Sequence, residues 1–469
     1  MTNHFDVVVV GGGPAGYAAA LYGAAAGLNI ALIEKSKLGG TCLHVGCIPA
    51  KELLETATVY RTVKHAADFG VTTSEPAIDF SVTQVRKQGV IDTLTNGLAG
   101  LLKHRKVTVF DGIGSVASVA GPKTVNISGG QSGNAQVTGD NLILAAGSVP
   151  RAIPGFEVDG TSIVTSDELL SITELPARAA IIGGGAIGIE FASMMADLGT
   201  KVTVLEAMPK IIPGVDPDAA RVVERSLKKR GVDIRTGVMV KGQADADGAK
   251  RLTFGDDETV DVDMIVLSIG RRPFADLLGL DAAGIALDER GFVPVDEACR
   301  TAVPGVWAVG DIIPTAQLAH VGFAEGMVTI RDILGEAPQP VDYLNVPWCI
   351  YCHPEVAFAG HTEESAKEAG YDVVTSTHKF NGNGRAMIVG ETDGLIKVIA
   401  EKTPDGRAGR MLGVHMVGPW VTEQLGQGYM AINWEATIDD VAAFIQPHPS
   451  MSELYGETVM AMTGRGLHG

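Results

Sequence analysis

Cysteine is scarce in this chain. Five cysteines among 469 residues are too few and too scattered for a secreted disulfide framework. Positive charge is in deficit too: 37 Lys and Arg stand against 55 Asp and Glu, a net charge of −18. That balance argues against nucleic acid or another polyanion as a partner. An uninterrupted hydrophobic run is also missing. The most apolar stretch, VVVVGGGPAGYAAALYGAAAGLNIALIE, is punctuated by glycines at fixed offsets, and the preceding MTNHFD carries no Lys or Arg. Neither a membrane span nor a signal peptide is expected, and the cytoplasm, where thiols stay reduced, is the expected compartment. Metal-ligand spacing is absent around His65, His104, His361, His378 and His415, so no metal site is expected. What remains is an ordinary globular composition, 46% hydrophobic and 20% charged, long enough for three or four units.

The 59 glycines cluster in motifs. One motif occurs twice. VVVVGGGPAGYAAALYGAAAGLNIALIEK and AAIIGGGAIGIEFASMMADLGTKVTVLEA both open on an apolar run that reads as a buried parallel strand. Each then carries G-x-G-x-x-G, with Gly11, Gly13 and Gly16 in the first copy and Gly183, Gly185 and Gly188 in the second. A small-residue helix follows, to Gly27 or Gly199, and then a second strand ending in an acid, Glu34 or Glu206. In both copies the acid lies 23 residues after the first glycine. A lone glycine triplet is a weak signal, but strand, helix and spaced acid together form the dinucleotide fingerprint. The first glycine permits a tight turn, the second lets backbone approach a pyrophosphate, and the third lets helix pack on strand. Two dinucleotides are therefore expected. Glu206 would repel a ribose 2′-phosphate, and no Arg follows it in EAMPK, so NAD is expected at the second site.

The first fingerprint leads into GGTCLHVGCIPAK, which holds Cys42 and Cys47. As a staple the pair would close a very short loop, giving about 2 kcal/mol by chain entropy, in a compartment that opposes it. A zinc site would need more ligands than His44 supplies. A redox couple is the stronger reading, and its neighbour should then be a cofactor that passes electrons to sulfur, a flavin. CIYCH, at Cys349 to His353, matches a haem-attachment pattern but sits in an alternating, strand-like stretch, so packing is expected there and at Cys299. KHRK, Lys103 to Lys106, reads as a solvated face.

GGTCLHVGCIPAK closely resembles the active-site segment of the flavoprotein disulfide reductases, most closely the members that oxidise dihydrolipoyl groups. The resemblance spans the chain: LAAGS (144–148), SIGRRP (268–273), VWAVGDI with Asp311, QLAH (317–320) and PHPSMSE all match. It implies that Cys47 faces the flavin, that Cys42 exchanges with substrate, and that His448 with Glu453 forms a base dyad delivered by the other subunit of an obligate homodimer. It implies also that Lys51 lies beside the flavin and pairs with Glu190. FAD contacts are then expected from Gly11, Gly13, Pro14, Ala15, Gly16, Glu34, Lys35, Gly40, Thr41, Cys42, Cys47, Lys51 and Gly114. Later FAD contacts are expected from Ala146, Gly147, Ser148, Gly310, Asp311, Gln317, Leu318, Ala319 and His320. NAD contacts are expected from Gly183, Gly185, Ala186, Ile187, Gly188, Glu190, Glu206, Val238 and Gly270.

The implied activity is oxidation of dihydrolipoyl groups by NAD⁺ through FAD, with 2-oxoacid dehydrogenase or glycine cleavage components as carriers. Reduction of a small disulfide such as glutathione or mycothione disulfide is the alternative, and docking into a dehydrogenase complex is a further role. His44, Ala50 and Gln446 depart from the family's usual Asn, Ser and His, and the missing C-terminal cysteine pair disfavours a mercuric reductase. The expected fold is α/β: two Rossmann-like dinucleotide-binding domains and a C-terminal α+β dimerisation domain. The expected boundaries are 1–149 for the first part of the FAD domain, 150–276 for the NAD domain, 277–346 for the return to the flavin and 347–469 for the interface domain.

Overall fold

The structure is a computed structural model and describes residues 3–468. Its first unit runs β1 (Asn3–Val10), α1 (Pro14–Ala25), β2 (Ile30–Glu34), α2 (Gly40–Val45), α3 (Cys47–Lys64), α4 (Phe80–His104), β3 (Thr108–Asp111), β4 (Ile113–Ser118), β5 (Lys123–Ser128) and β6 (Ala135–Leu144). Val7–Val10 and Ile30–Ile33 are at most 4% exposed. Apolar runs covered on both faces suit parallel strands between layers, as the alternating pattern of a half-wet strand does not. Asp79 caps α4 by accepting from the Ser81 and Val82 amides. At the other end of that helix, Lys103–Lys106 lie exposed.

The chain leaves this unit through β7 (Ser148–Pro150). The second unit follows as β8 (Ile163–Thr165), α5 (Ser166–Leu169), β9 (Arg178–Ile182), α6 (Ala186–Asp197), β10 (Lys201–Glu206), α7 (Pro217–Lys229) and β11 (Asp233–Thr236). An antiparallel meander of β12 (Val240–Ala246), β13 (Ala249–Phe254) and β14 (Glu258–Val262) precedes β15 (Met264–Leu267). The main sheet orders β11-β10-β9-β15-β8, all parallel. β16 (Arg271–Pro273) then returns antiparallel to β7, so exit and re-entry share one short ribbon. β17 (Val306–Ala308) docks parallel on β6 and completes the first sheet, β3-β2-β1-β6-β17, with the β4–β5 hairpin joined to β6. α8 (Ala319–Ile333) packs against α1.

The last unit contains β18 (Trp348–Ile350), β19 (Glu355–Gly360), α9 (Glu363–Glu368), β20 (Val373–Lys379), α10 (Gly384–Val389), β21 (Leu395–Lys402), β22 (Ala408–Gly418), α11 (Val421–Asn433), α12 (Ile438–Ala442) and α13 (Glu453–Ala461). Its antiparallel sheet orders β18-β19-β22-β21-β20. Lys397 of β21 ties this unit to the second one. Only 7% of its side chain is exposed, and its ammonium lies 3.1 Å from Asp216 and 2.9 Å from Asp218 at the start of α7. A buried charge demands such partners. The fold is thus α/β with two dinucleotide-type sheets and a C-terminal α+β unit. Among the described residues no helix is long and apolar enough to cross a membrane.

Candidate functional site

The two fingerprints fold alike. Gly11 and Gly183 sit in the left-handed region, φ +111° and +109°, which side chains disfavour. A Cβ on either would stand 2.1 or 2.2 Å from a carbonyl oxygen of the neighbouring strand's end, Ala145 or Ser268. A Cβ on Gly16 or Gly188 would lie 1.8 or 2.0 Å from the first glycine's own carbonyl. The chain's packing therefore accounts for the first and third glycines. It does not account for the second. Gly185 has nothing within 4 Å of a would-be Cβ, and Gly13 meets only Gly40 Cα at 3.9 Å. Both have φ near −73°, open to any residue. A bare backbone there leaves room for a pyrophosphate to approach the N-termini of α1 and α6.

The acids close the same loops. Glu34 accepts from the amides of Gly12 at 2.7 Å and Ser36 at 2.8 Å, and Glu206 from those of Gly184 at 2.5 Å and Met208 at 2.7 Å. Each carboxylate oxygen keeps a free lone pair for a ribose hydroxyl. The Val238 amide donates to the Glu206 carbonyl, 3.0 Å away, and Gly270 (φ +96°) turns the chain after β15. Ile187 is exposed at the start of α6, and Ala186 borders a 570 Å³ cavity between the second unit and the interface unit. The buried hydroxyl of Ser268 lacks any partner, as does the Gln317 amide nitrogen beside α8. Such orphaned polar atoms fit a site that a polar ligand completes.

Around the first fingerprint, Gly40 (φ +57°) presses against Gly13, and the Lys35 ammonium stands 3.7 Å from the centre of the Phe274 ring. Pro14 and Ala15 open α1, and Thr41 precedes Cys42 in α2. Gly114 backs onto Val10 and Ile33. Ala146 and Gly147 link β6 to Ser148, whose hydroxyl donates to Asp311 at 2.5 Å. Burial pushes the Asp311 carboxyl up, against the Ser148 bond and the Arg271 charge. Gly310 donates its amide to Glu325, while Leu318 and Ala319 begin α8. The His320 Nε2 faces the Pro347 carbonyl at 2.8 Å, so its side chain ties α8 to the interface unit.

Cys42 lies in α2 and Cys47 opens α3, both half-buried, and their sulfurs are unbonded in this structure. The two neighbouring thiols differ in acidity. Cys47 is drawn down to about 7 from an ordinary 9.0, chiefly by the adjacent Cys42 thiol, against burial and with help from the Lys51 charge. Cys42 is pushed far up, by the adjacent Cys47 and then by burial. The first proton therefore leaves Cys47, as a helix N-terminus favours. Lys51 donates to both oxygens of Glu190 at 2.9 Å, and although burial opposes its charge, the Glu190 carboxylate holds it protonated. Tyr17 stays a neutral phenol near both sulfurs, pushed up to about 12 by burial first.

His448 and Glu453 meet at 2.7 Å through Nδ1 and Oε1, and the Ser450 amide holds the other carboxylate oxygen at 2.7 Å. Burial works against the Glu453 charge, yet that amide and His448 keep its carboxyl below the ordinary value. The imidazole is 80% exposed, and α13 packs chiefly on α12, β20 and β21.

Sequence reasoning missed several residues. Arg271 donates to the Ser148 hydroxyl at 2.7 Å and carbonyl at 2.9 Å, pinning the ribbon beside Asp311. Glu325, fully buried, accepts from the Gly310 amide, Thr315 and Tyr343 and so shapes the Asp311 turn. Arg271 had a signal, the first Arg of SIGRRP; Glu325 had none. The CIYCH residues pack as expected: Cys352 is 1% exposed and donates to the Pro354 carbonyl, while Cys349 is half-buried on β18. Cys299 is likewise 1% exposed.

Residues 5–326 match the family described as pyridine nucleotide-disulphide oxidoreductase, and residues 346–459 match its dimerisation domain. A dihydrolipoyl dehydrogenase of Bacillus subtilis (strain 168) is 40% identical over 478 residues, covering 100% of both chains. One of Cupriavidus necator is 36% identical over 483 residues, again covering 100% of both. Among solved structures, the HOCl-induced flavoprotein disulfide reductase RclA of Escherichia coli, as its Cu(II) complex, superposes with a TM-score of 0.87 at 29% identity, covering 98% of this chain and 100% of that one. LpdA of Mycobacterium tuberculosis has a TM-score of 0.92 at 24% identity, covering 98% and 100%, and speaks to the fold alone.

Proposed function

The chain belongs to the pyridine nucleotide-disulphide oxidoreductase family, and from that premise we propose that it oxidises dihydrolipoyl groups with NAD⁺. The observation that carries the reading is the thiol pair after the first fingerprint, Cys42 in α2 and Cys47 opening α3. Full-length identity to dihydrolipoyl dehydrogenases supports the substrate.

FAD, the family's cofactor at the first fingerprint, supplies when bound the two-electron relay that re-forms the sulfur–sulfur bond and passes a hydride to NAD⁺. The chain's own residues do the rest. A substrate thiolate attacks Cys42 of the oxidised pair and releases Cys47 as a thiolate. The second substrate sulfur then displaces Cys42, leaving a substrate disulfide, the Cys47 thiolate and a Cys42 thiol that takes up the second substrate proton. His448 takes the substrate thiol proton at Nε2, while Glu453 orients the ring through Nδ1 and stabilises its cation. We assign that His448 to a second copy of the chain, because its imidazole is exposed on a single chain and the dimerisation domain is present. Lys51, clamped by Glu190, offers fixed positive charge where electrons arrive. Glu34 and Glu206 bind ribose hydroxyls, and Glu206 disfavours the 2′-phosphate of NADP. We place the enzyme in the cytoplasm, where the pair is not held oxidised by the surroundings.

The test compares turnover of dihydrolipoamide with NAD⁺ against NADH- and NADPH-driven reduction of glutathione and mycothione disulfides. Preference for dihydrolipoamide by tenfold or more in kcat/KM is expected; preference for a small disulfide refutes the reading.

A further inference from the structure

Three units of the chain converge on one ion pair. Lys51 comes from α3 of the first unit and Glu190 from α6 of the second. The third member is Tyr351, the residue following β18 of the interface unit. Its backbone amide donates to Glu190 Oε1 at 2.8 Å, and the Lys51 ammonium lies 4.9 Å from the centre of its ring. Glu190 is 5% exposed, whereas the Lys51 side chain is 34% exposed.

The geometry has a chemical consequence. A lysine stem has four rotatable bonds, and an ammonium with one partner samples water when space permits. Two donors here go to Glu190, and the aromatic face attracts the cation from another side, an interaction that strengthens where water is excluded. The Lys51 charge favours the Cys47 thiolate, and Cys42, Glu190 and Tyr17 are the other titratable groups acting on that sulfur. Cys349, Glu355 and Glu423 act on Tyr351 itself, which burial keeps a neutral phenol, pushed up to about 12.

We propose that Tyr351 is a positioning residue for the reacting cysteines: its ring face and amide hold the Lys51–Glu190 pair in the one geometry that directs the ammonium's charge onto Cys47. The phenol hydroxyl has no part in either contact. The amide contact survives side-chain substitution, so the ring face is what a variant removes. The inference rests on Cys42–Cys47 being the reacting pair, and its test reads the thiol directly. A wrong substrate assignment would show in turnover instead and leave this test intact.

The experiment titrates Cys47 in the flavin-bound protein carrying Cys42→Ser, following ultraviolet thiolate absorbance against pH and subtracting the Cys42→Ser/Cys47→Ser double variant. Tyr351→Phe should titrate as Tyr351 does. Tyr351→Leu should titrate ~0.5–1 unit higher, a three- to tenfold smaller thiolate fraction below the midpoint. Adding Tyr351→Leu to Lys51→Met should produce no further shift, because the effect passes through the ammonium. Tyr351→Met replaces the leucine variant if that one misfolds, and Tyr351→Trp, with a larger face, should titrate at or below the parent value. An unchanged midpoint in Leu or Met, an upward shift in Phe or Trp, or a shift that persists without Lys51 would each overturn the proposal.

Discussion

Gly185→Ala separates a glycine required by a ligand from one required by the fold. The residue has φ −73° and ψ −176°, and a methyl there meets nothing within 4 Å. Two small effects on stability oppose each other. Restricting the unfolded chain stabilises by ~0.4–1 kcal/mol, while Ala is poorer than Gly at a helix N-cap by several tenths of a kcal/mol. The net change should lie within about 0.5 kcal/mol, and the melting temperature should move by no more than about 2 °C. Dinucleotide binding should respond differently. A methyl between the N-terminus of α6 and the pyrophosphate displaces at least one charge-assisted hydrogen bond, worth ~1.5–3 kcal/mol, so NADH affinity should fall roughly 10- to 150-fold. Gly188→Ala is the contrast, since its Cβ would sit 2.0 Å from the Gly183 carbonyl and the backbone must give way. Calorimetric melting with FAD content, and NADH binding by fluorescence, measure the two quantities separately. The reasoning is refuted if Gly185→Ala melts as low as Gly188→Ala, or binds NADH as tightly as the parent.

Other consequences are open to direct measurement. His448→Gln should leave melting within about 0.5 kcal/mol of the parent, because the side chain is 80% exposed, yet lower dihydrolipoamide turnover ~10²- to 10⁴-fold. Lys397→Met strands the fully buried Asp216 carboxylate and should destabilise by ~3–5 kcal/mol in urea unfolding, a result that an unpaired surface lysine would not give. Acid sensitivity should trace partly to His353, which burial, with Arg61 and Arg230 nearby, depresses from 6.5 to about 3. The folded state keeps this ring neutral while the unfolded chain protonates it, so its contribution is complete above about 6.5 and is lost as pH falls towards about 3. His353→Asn should flatten the stability profile across that window by up to ~1.4 kcal/mol per pH unit, and identical slopes would rule this source out.

Much of the site was legible because it is written in local spacing. Each glycine triplet and its acid fall within one strand–helix–strand passage, so chain geometry alone brings Glu34 to Gly12 and Glu206 to Gly184. Cys42 and Cys47 are near neighbours in sequence, as are His448 and Glu453, and short separations leave few ways to be apart. The two-sheet α/β architecture followed from the repeat.

Tertiary structure decided the rest, because contacts across long separations leave no periodic trace. Glu190 is brought to Lys51 across 139 residues and Tyr351 to Glu190 across 161, from elements whose own patterns say only helix and strand. Arg271 reaches Ser148 across 123 residues, and Glu325 finds its three donors only once α8 has docked. The reason for the second glycine of each fingerprint is visible only when the empty space around it can be examined. Acidity was also beyond the sequence: the Cys47 thiol is favoured by an ammonium held by Glu190 of another unit, and that ion pair does not exist until the units have packed.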